Sequence, residues 1–429
     1  MLPLRAPLSR RLSFRTKLLL GTLVLASASP LSSSVEQPAF LALSDAVETP
    51  PGFPPSLKPG CLMPDGHNTD LFCPGDEGYG CYKIPTLLRT VKGTLLAMIE
   101  ARKFSCDDEG YIDLRLRRSH DSGKTWGPSQ LVHGNSTDSD WTTVGDANMV
   151  QDVTTGVIWL LHTRNNSHMF MSHSADEGAS WSEPWNVTAS LKLGYPTQGW
   201  IGTGHAGGIQ LSSGPHRGRL IIPAYSNTSY TIYSDDHGKS WRIGGAVSGR
   251  LGKGGENQMA ETGSYAEDGT PILLVSMRNS PNFPHKITGK GYRLQALSRD
   301  GGLSWGDVWE AKDLPEPVKG CEGSLVFHPG THKLYFSHPD PPLKLLRTRL
   351  SIWTSSNMGG TWSHHAVVWN KAAGYSALVV MGGKTDAAQA SANETAERAA
   401  EDLGLLYGRN NHTMIIFEAQ SVSFTTVAA

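Results

Sequence analysis

Ser119-His120-Asp121-Ser122-Gly123-Lys124-Thr125-Trp126 is an octet that recurs along the chain. The pattern Ser-x-Asp-x-Gly-x-x-Trp returns at Ser174–Trp181, Ser234–Trp241 and Ser298–Trp305, and again at Ser355–Trp362 with Asn357 in the place of the aspartate. An Asp or Asn here accepts hydrogen bonds from backbone N–H groups just ahead of it. The glycine takes a positive φ that other residues resist, and the tryptophan starts a returning strand with a large apolar face to bury. The motif reads as the tip of a β-hairpin. Turn geometry accounts for every fixed position without giving the aspartates a ligand or acid role.

The copies begin 55, 60, 64 and 57 residues apart, and short apolar runs of strand character fill the intervals, among them Val157–Leu161, Arg219–Pro223 and Pro271–Val275. One unit of about four strands per interval is the signature of a β-propeller blade. Strand-bearing sequence from Tyr82 to Phe424 has room for about six such units at that spacing. The expected fold is all-β: a six-bladed β-propeller of four-stranded antiparallel blades over residues 76–429.

The ends of the repeat are different in kind. Residues 1–28 carry Arg5, Arg10, Arg11, Arg15 and Lys17 and no acid, then the apolar run Leu18–Ala26, then Ala26-Ser27-Ala28 as a cleavage site. These are the three parts of a secretory signal peptide, and the apolar run is too short for a stable membrane anchor. An uncleaved anchor is the alternative. Residues 29–75 are rich in Ser, Pro and Ala and read as a poorly ordered or loosely attached segment. Residues 384–402 have low complexity and no apolar stripe, as a surface insertion in the last blade would.

The whole chain of 429 residues has 38 Lys+Arg against 39 Asp+Glu, and removing the five leader cations leaves 33 against 39. That balance excludes a nucleic-acid partner, which would call for a basic excess. With 47 Gly, 26 Pro and 12 Trp, the composition also excludes disorder, collagen and coiled coil. Cys61, Cys73, Cys81 and Cys106 cluster and Cys321 stands apart, in no zinc-site spacing, which points to a disulfide or two. Sequons at Asn135, Asn165, Asn186, Asn227, Asn393 and Asn411 agree with a secretory route, to the exterior or to a lysosome-like compartment.

The repeats, together with Tyr82-Lys83-Ile84-Pro85, Glu100-Ala101-Arg102, Asp108-Glu109, Gly255-Glu256-Asn257-Gln258, Met277-Arg278-Asn279 and Gly374-Tyr375-Ser376, resemble the exo-α-sialidase (neuraminidase) family in order and spacing over about residues 80–424. The resemblance implies retaining hydrolysis of terminal sialic acids from glycoproteins, glycolipids or oligosaccharides, with sialylated glycans as substrate and no metal or organic cofactor. Family members hold the sugar's carboxylate with three arginines, since guanidinium meets carboxylate in a two-pronged pair. Arg278 and Arg347 match the second and third. The first is replaced by Lys83, and the glutamate expected after Leu405-Leu406-Tyr407 to orient it is Gly408. The lost hydrogen bond is expected to weaken binding by about 1–3 kcal/mol.

A carboxylate nucleophile would be repelled by the substrate's own charge, so the family uses tyrosine, an exception among glycosidases. Tyr375 matches it. A phenol of pKa near 10 needs a neighbouring base, and Glu256 fits, with Glu261 as the rival if the register slips. The resemblance places the proton donor on a mobile loop after the Glu-Ala-Arg strand, at Asp108 with Asp107 as the alternative. It also implies a contact from Arg102 to the substrate carboxylate. A lectin-like sialic-acid-binding propeller, and an enzyme acting on a related acidic sugar or transferring it to another glycan, stay open at this stage.

Overall fold

The structure is a computed structural model describing residues 68–134, 137, 140–192, 200–247, 254–279, 291–317, 319–342, 347–382, 402–410 and 421–429. The chain divides into two compact units, Met1–Glu48 and Thr49–Ala429, and every described residue lies in the second. The expected leader, most of the Ser/Pro-rich segment, the sequons at Asn135, Asn393 and Asn411, and nearly all of the 384–402 insertion fall outside the described residues.

Six antiparallel units follow one another. Blade 1 is Cys81–Arg89, Leu95–Arg102, Ile112–Ser119 and Gln130–His133, and blade 2 is Val144–Gln151, Ile158–Arg164, His168–Ser174 and Trp185–Asn186. In blade 3 the innermost strand is broken into Gly202–Thr203 and Ile209–Gln210, which pair with opposite ends of Leu220–Tyr225, before Ser229–Ser234 and Arg242–Ala246. Blade 4 is Asn257–Tyr265, Pro271–Met277, Gly291–Ser298 and Trp309–Glu316. Blade 5 runs Ser324–His328, Lys333–Pro339 and Thr348–Ser355, and its outer strand is the first half of the long strand Ser363–Val380. The second half of that strand is the inner strand of blade 6, followed by Asp402–Arg409 and Ser421–Ala428.

Each hairpin octet joins the third and fourth strands of a blade, as its chemistry requires. Asp121, for example, accepts from Thr125 N at 2.8 Å, and Asp176, Asp236, Asp300 and Asn357 repeat the bond. The core is not one mass but six wedges, each between consecutive blades, and the sixth joins blade 6 back to blade 1. The octet tryptophans seal five of them: Trp126 packs on Phe424 of blade 6, and Trp181, Trp241, Trp305 and Trp362 each pack against the blade before their own. Gly123 has φ +85°, and a Cβ there would stand 2.2 Å from the Phe424 ring, so both the turn and the wedge demand glycine.

The fourth strand of blade 6 comes from the other end of the sequence. Thr69–Phe72 pairs antiparallel with Ser421–Ala428, so the segment expected to be loosely attached through residue 75 ends in a strand of the propeller. Its polar residues explain the misreading: Asp70 faces a buried arginine, Arg409, at 2.9 Å. Because no hairpin links third to fourth strand here, blade 6 has no octet.

Candidate active site

The innermost strands are irregular at one level. Pairing shifts between Lys83 and Thr86, between Gly145 and Asn148, and between Ala373 and Ser376. Ile84 at φ 60°, Asp146 at φ 50° and Ala206 at φ 80° hold conformations that L-residues resist. Bulges of this kind re-aim side chains, and here they gather polar groups into one bowl at that end of the strands. The opposite ends of the same strands, at Leu87, Met259, Phe327 and Leu378, line a separate cavity of about 490 Å³.

At the bottom of the bowl the Tyr375 hydroxyl donates to Glu256 Oε1 and accepts from Arg278 Nη1 at 2.9 Å, while the same Nη1 donates to Glu256 Oε2 at 2.6 Å. Burial works to raise the Glu256 carboxyl, but Arg278 and the tyrosine's hydrogen bond outweigh it and keep it ionised. Burial and the facing Glu256 charge push the Tyr375 hydroxyl well up, so the phenol is protonated in the free site. Arg347 stands with its guanidinium 5.6 Å from the Tyr375 ring and donates from Nη2 to Gly320 O at 2.9 Å; its Nε has no partner among the described residues. Glu261, the rival base, faces the far cavity and is engaged by Ser212 at 2.7 Å.

Lys83 Nζ meets Asp108 Oδ1 at 3.2 Å and donates to Cys106 O at 3.1 Å. Gly408 lies next to the end of its strand, opposite Val422, and has no side chain to reach the lysine, which is steadied from the loop of residues 103–111. Within that loop Asp108 turns its carboxylate to Lys83 and to Arg102 Nη1 at 2.7 Å, and Asp107 offers Arg102 only its carbonyl. The protein around it works to raise the Asp108 carboxyl, but the side chain stays 57% exposed and the two cations hold it well below the usual carboxylate range.

Arg102 is 2% exposed, and all three of its guanidinium nitrogens donate to protein: Nε and Nη2 to Glu100, and Nη1 to Asp108 and the carbonyls of Cys106 and Asp107. In this arrangement it clamps the loop. The loop is anchored at three places: a Cys81–Cys106 disulfide ties it to the inner strand of blade 1, Asn166 Nδ2 holds Asp108 O at 2.9 Å, and Gly110 exchanges two bonds with Thr143 Oγ1. Cys73 is disulfide-bonded as well, and Cys321 is a buried free thiol beside Tyr375 and Ile84.

Asp146 and His205 also reach the bowl, and nothing in the sequence marked them. Asp146 Oδ2 is buried without a protein partner, and burial, with Glu100 and Glu256, pushes its carboxyl well up. His205, presented by the break in the inner strand of blade 3, lies 3.4 Å from Asp146 and 3.9 Å from Glu256, and burial keeps its ring neutral. Gly204 makes that break feasible: a Cβ there would be 1.8 Å from Asn257 O. Among the described residues no group of three or more His, Cys, Asp or Glu side chains is arranged to hold a metal ion.

Residues 93–386 match the family described as BNR repeat-like domain. The sialidase of Micromonospora viridifaciens is 30% identical over 378 residues, covering 82% of this chain and 51% of that protein. Sialidase-4 of Homo sapiens is 33% identical over 288 residues, covering 58% of this chain and 54% of that one. The chain thus spans about half the length of these curated relatives. Among solved structures, the Hadza microbial sialidase Hz136 superposes with a TM-score of 0.67 at 24% identity, over 84% of this chain and 68% of that one. The intramolecular trans-sialidase of Ruminococcus gnavus does so with a TM-score of 0.63 at 18% identity, over 86% of this chain and 98% of that one. These two likenesses are of fold.

Proposed function

The chain belongs to the exo-α-sialidase family of BNR-repeat proteins, and on that footing we propose that it is a glycoside hydrolase releasing terminal sialic acid from glycans with retention of configuration. The observation that carries this reading is the Tyr375 hydroxyl held between Glu256 and Arg278 at the centre of a cationic bowl. A carboxylic sugar enters with its carboxylate toward Lys83, Arg278 and Arg347. Tyr375 Oη attacks the anomeric carbon while Glu256 takes the phenol proton, and Asp108 protonates the departing glycosidic oxygen. Water then attacks the tyrosyl glycoside, giving its proton to Asp108, and the tyrosine recovers its own from Glu256.

The ligand's charge changes the acid. Asp108 is held ionised by Lys83 and Arg102. When the sugar carboxylate takes Lys83, one of those cations is drawn off and the sugar covers the loop, so the Asp108 carboxyl rises toward the range where it can donate. The second reading, a propeller that binds sialic acid with little turnover, is favoured by that same ionised Asp108.

Release of a fluorogenic aglycone from an α-sialoside decides between them. Turnover in the native protein that falls at least 10³-fold in Tyr375→Phe and about 10²-fold or more in Asp108→Ala is the expected result. Binding without turnover in all three proteins would establish the lectin-like reading. The basic and apolar leader supports export, as does the Cys81–Cys106 bridge, a bond formed in oxidising compartments. N-terminal sequencing of the protein recovered from a secreting host tests cleavage after Ala28.

A further inference from the structure

Arg278 and Arg347 are aimed by a single turn. Lys319 O accepts from Arg278 Nε at 3.0 Å and Nη2 at 2.8 Å, and Gly320 O accepts from Arg347 Nη2 at 2.9 Å. The turn closes with Gly320 N donating to Pro317 O at 2.8 Å and needs left-handed backbone at Lys319, φ 66°, and Gly320, φ 65°. Two adjacent carbonyls therefore set the directions of two guanidinium groups that come from blades 4 and 5.

What fixes the turn is a carboxylate buried behind it. Glu316 is 1% exposed. Its Oε1 accepts from Asn279 N at 3.0 Å and Arg293 Nη1 at 3.1 Å, and its Oε2 from Cys321 N at 3.1 Å and His338 Nε2 at 3.1 Å. Asn279 follows Arg278 in the chain, and Cys321 follows Gly320, so one carboxylate staples the backbone beside the arginine to the backbone at the end of the turn. Arg293 adds a bond to Cys321 O. Four donors saturate the acceptor capacity of an ionised carboxylate. Burial opposes that ionisation, but Arg293 and His338 hold the carboxyl down at about 2.

We propose that Glu316 is a positioning residue of the carboxylate cradle: it never meets the substrate, but through the 317–320 turn it holds Arg278 and Arg347 in the geometry that pairs with a sugar carboxylate. A neutral amide in its place has one acceptor oxygen for four donors and turns an NH2 against two of them, so the turn loses its register. The proposal rests on the sialidase reading and specifies a loss confined to the ligand's anionic group.

The test is affinity for two ligands, a sialic-acid glycoside and its C1 carboxamide, in native protein and in Glu316→Gln. Expected is a loss of tenfold or more for the carboxylate ligand and less than twofold for the carboxamide. Equal losses for both ligands, or none for either, would overturn the positioning role. Native protein that binds the carboxamide as well as the carboxylate, or binds neither, would overturn the sialidase reading itself and this role with it. A second pair guards against Glu316→Gln failing to fold. Lys319→Pro cannot adopt φ 66° and is expected to reproduce the carboxylate-selective loss, whereas Lys319→Gly, which can, is expected to keep native affinity. Unchanged selectivity in Lys319→Pro would refute the role of the turn.

Discussion

Lys83 carries a proton that an arginine in its place would keep at any working pH. Burial, then repulsion from Arg102 and Arg347, brings its ammonium down to about 8 against the pull of Asp108. The sign follows directly. Below pH 8 the amine is charged and the cradle has its full attraction for an anion; as pH rises through about 8 the charge is lost and affinity for the anion goes with it. The affinity of a sialic-acid ligand is therefore expected to fall on the alkaline side near pH 8, and Lys83→Arg is expected to carry that limb beyond pH 10. An alkaline limb unmoved in Lys83→Arg would assign it to another group. At this scale the sequence marked Tyr375, Glu256 and Asp108, whose neighbours form recognisable strings. It did not show the neighbours of Arg102, because Glu-Ala-Arg on an alternating strand does not reveal that Glu100 and the loop engage every guanidinium nitrogen.

The loop of residues 103–111 shows what an element adds to its residues. Cys81 lies two residues before Lys83, and Cys106 two before Asp108, so one bridge sets the distance between the proposed anchor and the proposed acid. Cys81→Ser with Cys106→Ser removes a crosslink between residues 25 apart, and the chain-entropy model puts the loss at about 3 kcal/mol. Urea unfolding is expected to show that loss. At temperatures where the variant stays folded, kcat/KM is expected to drop about tenfold as Asp108 leaves its place. Full activity with lowered stability would mean that Arg102 and Asn166 hold the loop without the bridge. Elements of this kind were partly legible in advance. The octets declared five hairpins, since an Asp, a Gly and a Trp must all be written locally to make the turn. Asp146, His205 and Glu316 left no such trace, because their roles arise where strands of different blades meet.

For the whole molecule the decisive contacts are the wedges between blades, and the wedge between blades 6 and 1 rests on Thr69–Phe72. Arg409, fully buried, stacks 4.6 Å from the Trp369 ring and pairs with Asp70 at 2.9 Å, while Tyr407 Oη donates to Asn68 at 2.6 Å. Removing a carboxylate that faces a buried cation costs about 3–5 kcal/mol. Asp70→Ala is therefore expected to lower the denaturation midpoint by the equivalent of about 3 kcal/mol. An unshifted midpoint would show that the ring does not depend on this strand. The architecture was legible as a number of blades, but not as a mode of closure: four residues between polar neighbours carry no periodicity to read.

That closure imposes an order on biosynthesis. Asp70 and Ser423 bond across 353 positions of sequence, so a ribosome delivers the clasp long before the sheet that receives it. Until residues 421–428 emerge, the first blade has no neighbour on one flank, and its Trp126 waits beside an absent Phe424. Nascent chains halted short of residue 421 should accordingly remain open, protease-sensitive and dependent on chaperones, and become resistant only in one late step.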